Sequence, residues 1–594
     1  MIIDFFASLS FYLIPYLIGR FFTKNIVLSW FTGALSLFIA FFGLSQIAIF
    51  FKLDFSLLVF VIVVGLSLIS LVRLISDIVK SKTFLKPGRE ITIMLIFSSL
   101  VYFLIWKRNT PYPLALNWDI YEHLTLANLI AQGNLSFLTT KISDTFTINS
   151  YPPMFQILLS IPKIIFQRNL LGVYWWLEYW HYLLTVIASF WLAKSVFKNK
   201  LMALLSALVS ALVFESAVAY APLFLIPQTL ASLLAIFLIP ELKNIKFKFL
   251  LLSVLVIFLM HYVVGLVGIF VLGCWYLIQK KNILKHPNLV ILASVIVSAA
   301  LIISNFVVKW DVLAIEEAQH FNFPLWQKLG FLTDWYGVGL TIGFVIGLIA
   351  IVRAKELDQK LILIFALLLL GLSFAPFSYF LKFYVLGGYF VNLVIAFGLF
   401  VLLSGLPKVW KILGLSWVAL FLVLVFYKNQ SVYKDPLHFN NLETQLSFNE
   451  IELGKWLSQN KKTDSFLISD PGTQYILEAL SGVNSQGGVY ATLDTREKLI
   501  SINNIYDPVF MKEKLLEIRD TLGTPADRET LFVVGGRYFA WQSLSENEKE
   551  SSFYNIWSPR LTSPEDQVFI DYLRKSPNFK LIYENAELSV FKII

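Results

Sequence analysis

Long apolar runs alternate with short polar loops over roughly the first seventy per cent of the chain. Most runs have about the 17–25 residues that an α-helix needs to cross the hydrocarbon of a bilayer. Backbone groups in hydrocarbon must be hydrogen-bonded within their own segment, so such runs are predicted to be helices. The pattern predicts about fourteen spans, near 5–20, 26–51, 55–76, 91–106, 173–193, 201–218, 222–240, 248–261, 262–279, 288–308, 334–352, 361–379, 383–404 and 409–427. The two short runs that meet at His261-Tyr262 could instead form one long broken helix.

The loops between these runs differ in their content of lysine and arginine. Lysine and arginine are enriched in the cytoplasmic loops of membrane proteins. In this chain the short loops that alternate with the basic ones, near Tyr220-Ala221 and Tyr379 to Lys382, carry almost no positive charge. The loops predicted to be cytoplasmic contain Arg20/Lys24, Lys80/Lys82/Lys86/Arg89, Lys194/Lys198/Lys200, Lys243/Lys246/Lys248, Lys280/Lys281/Lys285, Arg353/Lys355/Lys360 and Lys408/Lys411. This alternation predicts that the N-terminus and everything after Lys428 lie outside the cytoplasm.

One apolar stretch, Tyr151 to Phe166, breaks the alternation if it is counted as a span, because the Lys194 and Lys243 loops would then lie outside. We therefore predict that it is an interfacial or re-entrant helix within a large external loop, about 107–172. A second external loop is predicted at about 309–333. The start, Met1 to Phe6, lacks the basic segment of a cleavable signal peptide, so the first run is expected to be a retained helix.

The composition changes to that of a soluble protein after Tyr427. Ser465–Ser469 and Leu531–Val534 are predicted strands, and Thr473–Leu480 a helix. Phe579–Tyr583 and Leu588–Ile593 are predicted to form a closing β-hairpin. We therefore expect a transmembrane domain over 1–427 and a soluble α/β or α+β domain over 428–594, outside the cytoplasm. The fold class is a mostly α polytopic helical bundle with this C-terminal domain.

Composition and charge support the membrane class. Hydrophobic residues make up 57% of the chain and charged residues only 15%, against about 25% charged in soluble domains. The net charge of +9 comes largely from the loops between apolar runs, so it indicates orientation in a bilayer, and no nucleic-acid partner is expected. The single cysteine, Cys274, lies in an apolar run and excludes an intramolecular disulfide.

The segment Asn117–Gly133 carries the most informative polar residues. On a helix Asp119 and His123 share one face, with Glu122 close by, while Leu126, Leu129 and Ile130 form an apolar face that can lie on the bilayer. Polar groups placed in this way at a membrane boundary suit a reaction on a lipid-carried substrate. The alternative is structural: Asp119 caps the helix and His123 reaches the interface.

Asp119-x-x-x-His123, an amphipathic helix, a Gly-Asn turn and Ser150-Tyr-Pro-Pro153 together resemble the first external loop of GT-C membrane glycosyltransferases. That superfamily includes oligosaccharyltransferases, protein O-mannosyltransferases and aminoarabinose transferases. The resemblance extends to the many helices, the two external loops and the C-terminal domain. It implies a GT-C-type bundle, a donor sugar on a polyprenyl phosphate, and a catalytic or metal-ligating role for Asp119. Tyr151, in the second motif, becomes a candidate substrate contact.

The sequence departs from the best-known members of that superfamily in two ways. The soluble domain has no Trp-Trp-Asp-Tyr-Gly motif, which argues against N-linked oligosaccharyl transfer; Asp334-Trp-Tyr-Gly337 is a superficial echo in the other domain. The second acidic motif expected at the next external turn is reduced to Glu215. An acidic residue near the end of a span is usually functional, so Glu215 is a candidate metal ligand with Asp119, although a helix-end residue that reaches water is the alternative.

Further candidate substrate contacts are Gln228, His261, Glu316 and His320. His261 could bind a phosphate or could satisfy a helix break, and Glu316 and His320 share a helical face but could belong to a solvated loop helix. The aromatics Trp175, Trp176, Tyr179 and Trp180 are predicted to be an interfacial belt.

These residues predict an inverting glycosyltransferase of the cell membrane, with its site outside the cytoplasm. Asp119 would be the base, alone or with a divalent cation such as Mg²⁺ or Mn²⁺. Glu122, His123, Glu215 and Glu316 would be its candidate partners, and Glu122 and His123 are also candidate substrate contacts, with His123 expected near the donor phosphate or behind the base. The partners would be a polyprenyl-phosphate sugar and a glycan, lipid or protein acceptor. The alternative is a non-catalytic transporter, flippase or assembly component for lipid-linked glycans. Transporters usually carry charged residues in mid-membrane and repeated halves.

Overall fold

The computed structural model describes residues 1–81, 89–106, 112–113, 120–131, 133, 153–212, 224–279, 340–373, 380–404, 407, 414, 420, 446–460, 465–483, 485, 508–521, 529–543 and 564–594. Contacts divide the chain into two compact units. The helical unit comprises Met1–Leu116, Ala131–Arg168 and Gly172–Asp435. The α/β unit comprises Asn117–Ile130, Asn169–Leu171 and Pro436–Ile594, so it takes in part of the first predicted external loop.

The first two thirds of the described chain is helical, as the apolar runs predict. The helices are α1 (Ile2–Gly19), α2 (Ile26–Phe51), α3 (Phe55–Ser81), α4 (Arg89–Val101), α5 (Ile120–Ala131), α6 (Met154–Phe166), α7 (Leu170–Phe197), α8 (Lys200–Leu212), α9 (Pro227–Leu238), α10 (Phe247–Met260), α11 (Tyr262–Gln279), α12 (Leu340–Val352), α13 (Leu357–Ser373) and α14 (Phe380–Ser404). A π-helical turn, Tyr102–Trp106, extends α4, and a 3₁₀ turn, Ile239–Glu241, follows α9.

Within the described residues, five helices are long and apolar enough to cross a membrane: Ile2–Gly19, Ile26–Phe51, Phe55–Ser76, Tyr262–Gln279 and Lys382–Ser404. Helices α4, α8, α9, α10 and α12 are apolar but shorter. Helix α7 has 28 residues but is less apolar, because it carries a polar stripe. The predicted span at 288–308 lies outside the described residues, and of the predicted span at 409–427 only residues 414 and 420 are described.

Small residues allow α1 and α2 to pack in close contact. A Cβ atom on Gly33 would lie 1.7 Å from the carbonyl oxygen of Pro15, and one on Gly19 would lie 1.6 Å from that of Ser29. Glycine at both crossings therefore lets the two backbones touch, as is common between helices in membranes.

Helix α6 corresponds to the apolar stretch that the loop charges exclude as a span. It has 13 residues, or about 20 Å at 1.5 Å per residue, which is short of a bilayer. Ten of these residues are buried, and α6 packs against α1, α2, α3 and α10. A helix that only lay on a membrane surface would expose one face, which this burial does not show. The placement of α6 in an external loop, as an interfacial or re-entrant helix, stays a prediction.

The chain between α10 and α11 turns back at His261. This residue is extended, with φ −160° and ψ 120°. A Cβ on Gly265 would lie 2.6 Å from the Cα of Phe258, and one on Gly268 would lie 3.4 Å from a side-chain methyl of Ile257. Residues on either side of His261 therefore pack against each other, and the two helices form a hairpin. The two separate predicted helices are confirmed, and the alternative of one long broken helix is wrong.

The α/β unit contains a four-stranded sheet with order β1-β2-β4-β3, where β1 is Phe466–Ile468, β2 Thr530–Gly535, β3 Phe579–Glu584 and β4 Leu588–Ile593. Strands β1 and β2 are parallel, and the other neighbours are antiparallel. The helices are α15 (Phe448–Asn460), α16 (Pro471–Ser481), α17 (Pro508–Thr521), α18 (Gly536–Gln542) and α19 (Pro564–Lys575). The predicted strands, hairpin and helix of this region are all present.

Both faces of the sheet are buried by helices. On one face, Phe466, Phe532 and Phe591 pack with α17 and α19. On the other, Leu467, Val533 and Val590 pack with α15 and α16. Alternate residues of a strand point to opposite faces, so the two central stretches that are covered on both faces, β1 and Leu531–Val534 of β2, are apolar at every position. Strands β3 and β4 carry Lys580 and Lys592 at the end of the sheet that the helices leave open.

A buried ion pair joins α15 to the end of β2. Ser447 and Glu450 form a capping box, in which the Ser447 Oγ accepts from the Glu450 N–H at 3.1 Å and a Glu450 carboxylate oxygen accepts from the Ser447 N–H at 2.6 Å. The Arg537 Nε donates to the same carboxylate at 2.6 Å, and both side chains are 1% exposed. Arg537 lies in the first turn of α18, two residues after β2 ends, so this pair fixes the first turn of α15 against the sheet.

Replacing Glu450 tests how far the α/β unit depends on this pair. Glu450→Gln removes the carboxylate and leaves the Arg537 charge buried, which should lower the free energy of unfolding by about 3–5 kcal/mol. The control is Glu452→Gln on the exposed side of the same helix, expected within about 0.5 kcal/mol of the unmodified protein. Thermal unfolding of the full chain in detergent measures both; equal melting temperatures would show that the pair contributes nothing.

Candidate functional site

Helix α5, which carries the predicted catalytic segment, is part of the α/β unit. The Asn128 side-chain amide donates to the carbonyl of Ala479 in α16 at 3.0 Å. The rings of Tyr121 and Tyr475 meet edge to face, with their centroids 6.2 Å apart. Ile120, Leu124 and Ala127 on the same side of α5 are fully buried. The helix is therefore fixed on α16 by one buried hydrogen bond and an apolar contact.

His123, one turn before Ala127 on α5, is also buried. It is 2% exposed, so the alternative in which it reaches the membrane interface is wrong. Burial lowers the pKa of His123 to about 3, because the charged imidazolium would lose its hydration there. The imidazole is therefore neutral at physiological pH and can act in a site only as a hydrogen-bonding group. Ile130, expected on the bilayer face, is also fully buried, whereas Leu126 and Leu129 are half-buried.

Helix α16, against which α5 packs, starts at the carboxyl end of β1. Asp470 caps it and accepts the Thr473 N–H at 2.9 Å. Burial raises the pKa of Asp470, although the bonds from Thr473 and the Arg537 charge oppose this. Because β1 and β2 are parallel, Asp470 and Arg537 follow strands that end at the same edge of the sheet. Both side chains are buried, so we assign Asp470 and Arg537 a structural role at this edge of the sheet.

Two predicted contacts, Gln228 and His261, lie in the helical unit. Gln228 is in the first turn of α9 and is 4% exposed; His261, at the α10–α11 turn, is also 4% exposed. Helix α9 packs against both α10 and α11. The His261 Nδ1 accepts the Val264 N–H at 3.3 Å, so His261 satisfies the helix break, as the structural alternative predicts. Its phosphate-binding role stays a prediction.

The other predicted site residues lie outside the described part of the structure. They are Asp119, Tyr151, Glu215, Glu316 and His320, together with the side chain of Glu122. Asp119 directly precedes α5 in the chain. In the described part, no group of three or more His, Cys, Asp or Glu side chains is arranged to hold a metal ion. A cation held by Asp119 and Glu215 stays a proposal, because both residues lie outside the described part.

The structure shows a buried polar stripe on α7 that the sequence analysis overlooked. It consists of Tyr174, Glu178, His181, Tyr182, Thr185 and Ser189, each at most 2% exposed. Tyr182 donates to the Ala211 carbonyl at 3.0 Å, and Tyr389 donates to the Thr185 hydroxyl at 3.3 Å. Neither ring nitrogen of His181 has a hydrogen-bond partner among the described residues.

The spacing of four, three, one, three and four residues places these side chains on one helical face. That period was visible in the sequence, but the nearby tryptophans led to an interfacial interpretation. Ionisable residues inside a membrane bundle are costly and usually functional, so Glu178 and His181 join the candidate residues.

A second buried acid, Asp4, lies near the start of α1. Its side chain is 3% exposed, and it accepts a charge-assisted bond from Arg168 Nε at 2.7 Å. The Tyr112 hydroxyl also donates to it. Arg168 lies between α6 and α7, so this carboxylate links three separate stretches of the helical unit. We assign it a structural role.

No protein-family model matches the sequence, and no curated protein does. Among solved structures, the fold is similar to the archaeal oligosaccharyltransferase AglB from Archaeoglobus fulgidus, in complex with an inhibitory peptide and a dolichol-phosphate. The TM-score is 0.44 at 13% identity, over 77% of this chain and 70% of that one. This similarity is too low to identify a family, an activity or a site.

Two titrating groups of the α/β unit should affect its stability in opposite directions. His123, with its pKa lowered to about 3, binds less proton when folded, so its contribution to stability rises with pH between about 3 and 6.5. Glu478 in α16 has its pKa raised to about 7 by burial, so its contribution falls as pH rises from about 4.5 to 7. The two effects oppose each other between about pH 4.5 and 6.5.

Between pH 7.5 and pH 5, the His123→Gln variant should therefore lose about 2 kcal/mol less free energy of unfolding than the unmodified chain. The reason is that the substituted side chain no longer takes up a proton on unfolding. Over the same change in pH, the Glu478→Gln variant should lose more free energy of unfolding than the unmodified chain, because the stabilising protonation of Glu478 is removed. Thermal unfolding in detergent across this pH range measures both slopes. Parallel curves for all three proteins would mean that these groups titrate normally in the folded state.

Proposed function

We propose that the chain is a membrane glycosyltransferase that transfers a sugar from a polyprenyl-phosphate donor to a cell-envelope acceptor outside the cytoplasm. The acceptor would be a glycan, lipid or protein. The observation that carries the proposal is the place of α5, whose preceding residue is Asp119. An α/β unit that incorporates this helix can hold a carboxylate near an acceptor that it binds, while apolar helices suit a lipid-linked donor.

Asp119 is assigned the role of general base. The acceptor hydroxyl attacks the anomeric carbon, its proton passes to the Asp119 carboxylate, and the bond from that carbon to the phosphate oxygen breaks. Polyprenyl phosphate leaves with the bonding electrons, and attack from the opposite side inverts the anomeric centre. A divalent cation at Asp119 and Glu215 would offset charge on the leaving phosphate. His123 is buried and neutral, so we assign it to packing of α5.

Asp119→Asn tests this role. Asparagine caps helices about as well as aspartate, so folding should be unchanged. Loss of the base should lower transfer by about a hundredfold to ten-thousandfold. Transfer is measured with radiolabelled polyprenyl-phosphate sugars and cell-envelope acceptors, at matched expression and detergent stability. If Asp119 only capped α5, Asp119→Asn would transfer normally and Asp119→Ala would lose stability.

The proposed orientation is tested by cysteine labelling in a Cys274→Ser background. Lys575→Cys, exposed on α19, should react with an impermeant maleimide in intact cells, because we place the α/β unit outside. Lys246→Cys, in a basic loop that we place in the cytoplasm, should react only after permeabilisation. The reverse pattern would place the α/β unit and Asp119 in the cytoplasm.

A second candidate function is transport of a lipid-linked glycan. The observation that favours it is the buried Glu178 and His181 of α7, since transporters place ionisable groups inside the bundle. The transfer assay separates the two candidates: a transporter would move the lipid-linked sugar across a vesicle membrane with no covalent product.

A further inference from the structure

The α/β unit has an open groove at one end of its sheet. Its volume is about 510 Å³, within the range of small-molecule sites. It is lined by Trp456 and Asn460 of α15 and by Glu529, Leu531, Lys580, Ile582, Lys592 and Ile594 of the sheet and its ends. Helix α15 covers this face over β2 and β4, and the groove starts where the helix ends at Asn460.

Two lysines meet across the floor of this groove. Lys580 of β3 and Lys592 of β4 are direct register partners. Like charges directly opposite on antiparallel strands destabilise a sheet. Glu529 pairs with Lys592 at 2.7 Å and so neutralises one of the two charges. The side chains that line the groove therefore carry one net positive charge, and an anion beside Lys580 would offset the repulsion between the two ammonium groups.

The rest of the lining suits a molecule with an apolar face and many hydroxyl groups. Trp456, Leu531 and Ile582 offer apolar surface, and the Trp456 ring is held by Tyr583, whose centroid lies 4.8 Å away. Hydroxyl groups donate and accept, so they need both kinds of partner. The Glu529 carboxylate is an acceptor and the lysines are donors. The backbone carbonyls in the last turn of α15 add acceptors. One of them, the carbonyl of Trp456, already accepts a hydrogen bond from the Asn460 side-chain amide at 2.9 Å.

We propose that this groove binds an acidic sugar unit, one that bears a carboxylate or a phosphate. The Lys580 ammonium would contact the acidic group, and the Trp456 ring would contact the C–H face of the sugar. A peptide strand is a poorer fit, because added strands pair with the edge of a sheet and this groove lies on its face. The proposal does not depend on the transfer reaction, since the groove can bind a sugar whether or not Asp119 is catalytic.

Binding is measured by calorimetry on the full-length protein in detergent, at low salt, with three probes. These are tetragalacturonate, a phosphorylated maltotetraose and neutral maltotetraose. At least one acidic probe should bind about tenfold or more tightly than the neutral one, because hydrogen bonds to charged groups are the stronger class. A preference between the two acidic probes would identify the natural group as carboxylate or phosphate.

Three variants assign the binding to this groove. Lys580→Gln should lower the affinity for the acidic probe by about tenfold or more, to the affinity of the neutral probe. Trp456→Leu should lower the affinity for every probe that binds. Thermal unfolding checks that this variant is folded. Lys575→Gln, an exposed lysine outside the groove, should bind like the unmodified protein. The proposal is wrong if no probe binds, if neutral and acidic probes bind equally, or if Lys575→Gln weakens binding as much as Lys580→Gln.

Discussion

Buried charges are costly unless they are paired, and such pairs join separate stretches of the chain within each of its two units. In the helical unit, Asp4 is buried with Arg168 and Tyr112, and the hydroxyls of α7 bond to neighbouring helices. In the α/β unit, Glu450 is buried with Arg537 and with the first turn of α15. Each arrangement joins stretches far apart in sequence, because an unpaired charge in such surroundings would cost several kcal/mol.

The assignment of α5 to the α/β unit gives that unit a second role. A soluble domain that merely followed the membrane helices could act as a cover or an acceptor platform. One that holds α5 through Asn128 and Tyr121 also contains the helix that directly follows Asp119 in the sequence. Positioning of a reactive group is a large part of catalysis. Under the proposed function, the contacts between α5 and α16 would therefore matter for transfer as well as for folding.

Two sites of different character emerge in the described structure. The stripe on α7 is enclosed and includes an acid and a histidine, which suits protons or a buried headgroup more than a free sugar. The groove beside Trp456 is open, cationic and amphipathic, which suits a solvated glycan. A glycosyltransferase that uses an acidic glycan acceptor would need a surface of the second kind outside its reaction centre.

The sequence by itself determined the fold class, because an apolar run long enough to cross a bilayer can satisfy its backbone hydrogen bonds within the segment only as a helix. It also predicted most helix positions along the chain. It also predicted the strands and the hairpin of the α/β unit, because β-branched and aromatic clusters between turn residues are local signals. Tertiary structure alone decided that α6 is enclosed by four helices, that His261 is a hairpin turn and that His123 faces a protein core. Periodicity shows which residues share a face but not what covers that face. The partners of Asn128, Arg537 and Lys580 lie many residues away or on another strand, and that pairing follows from packing.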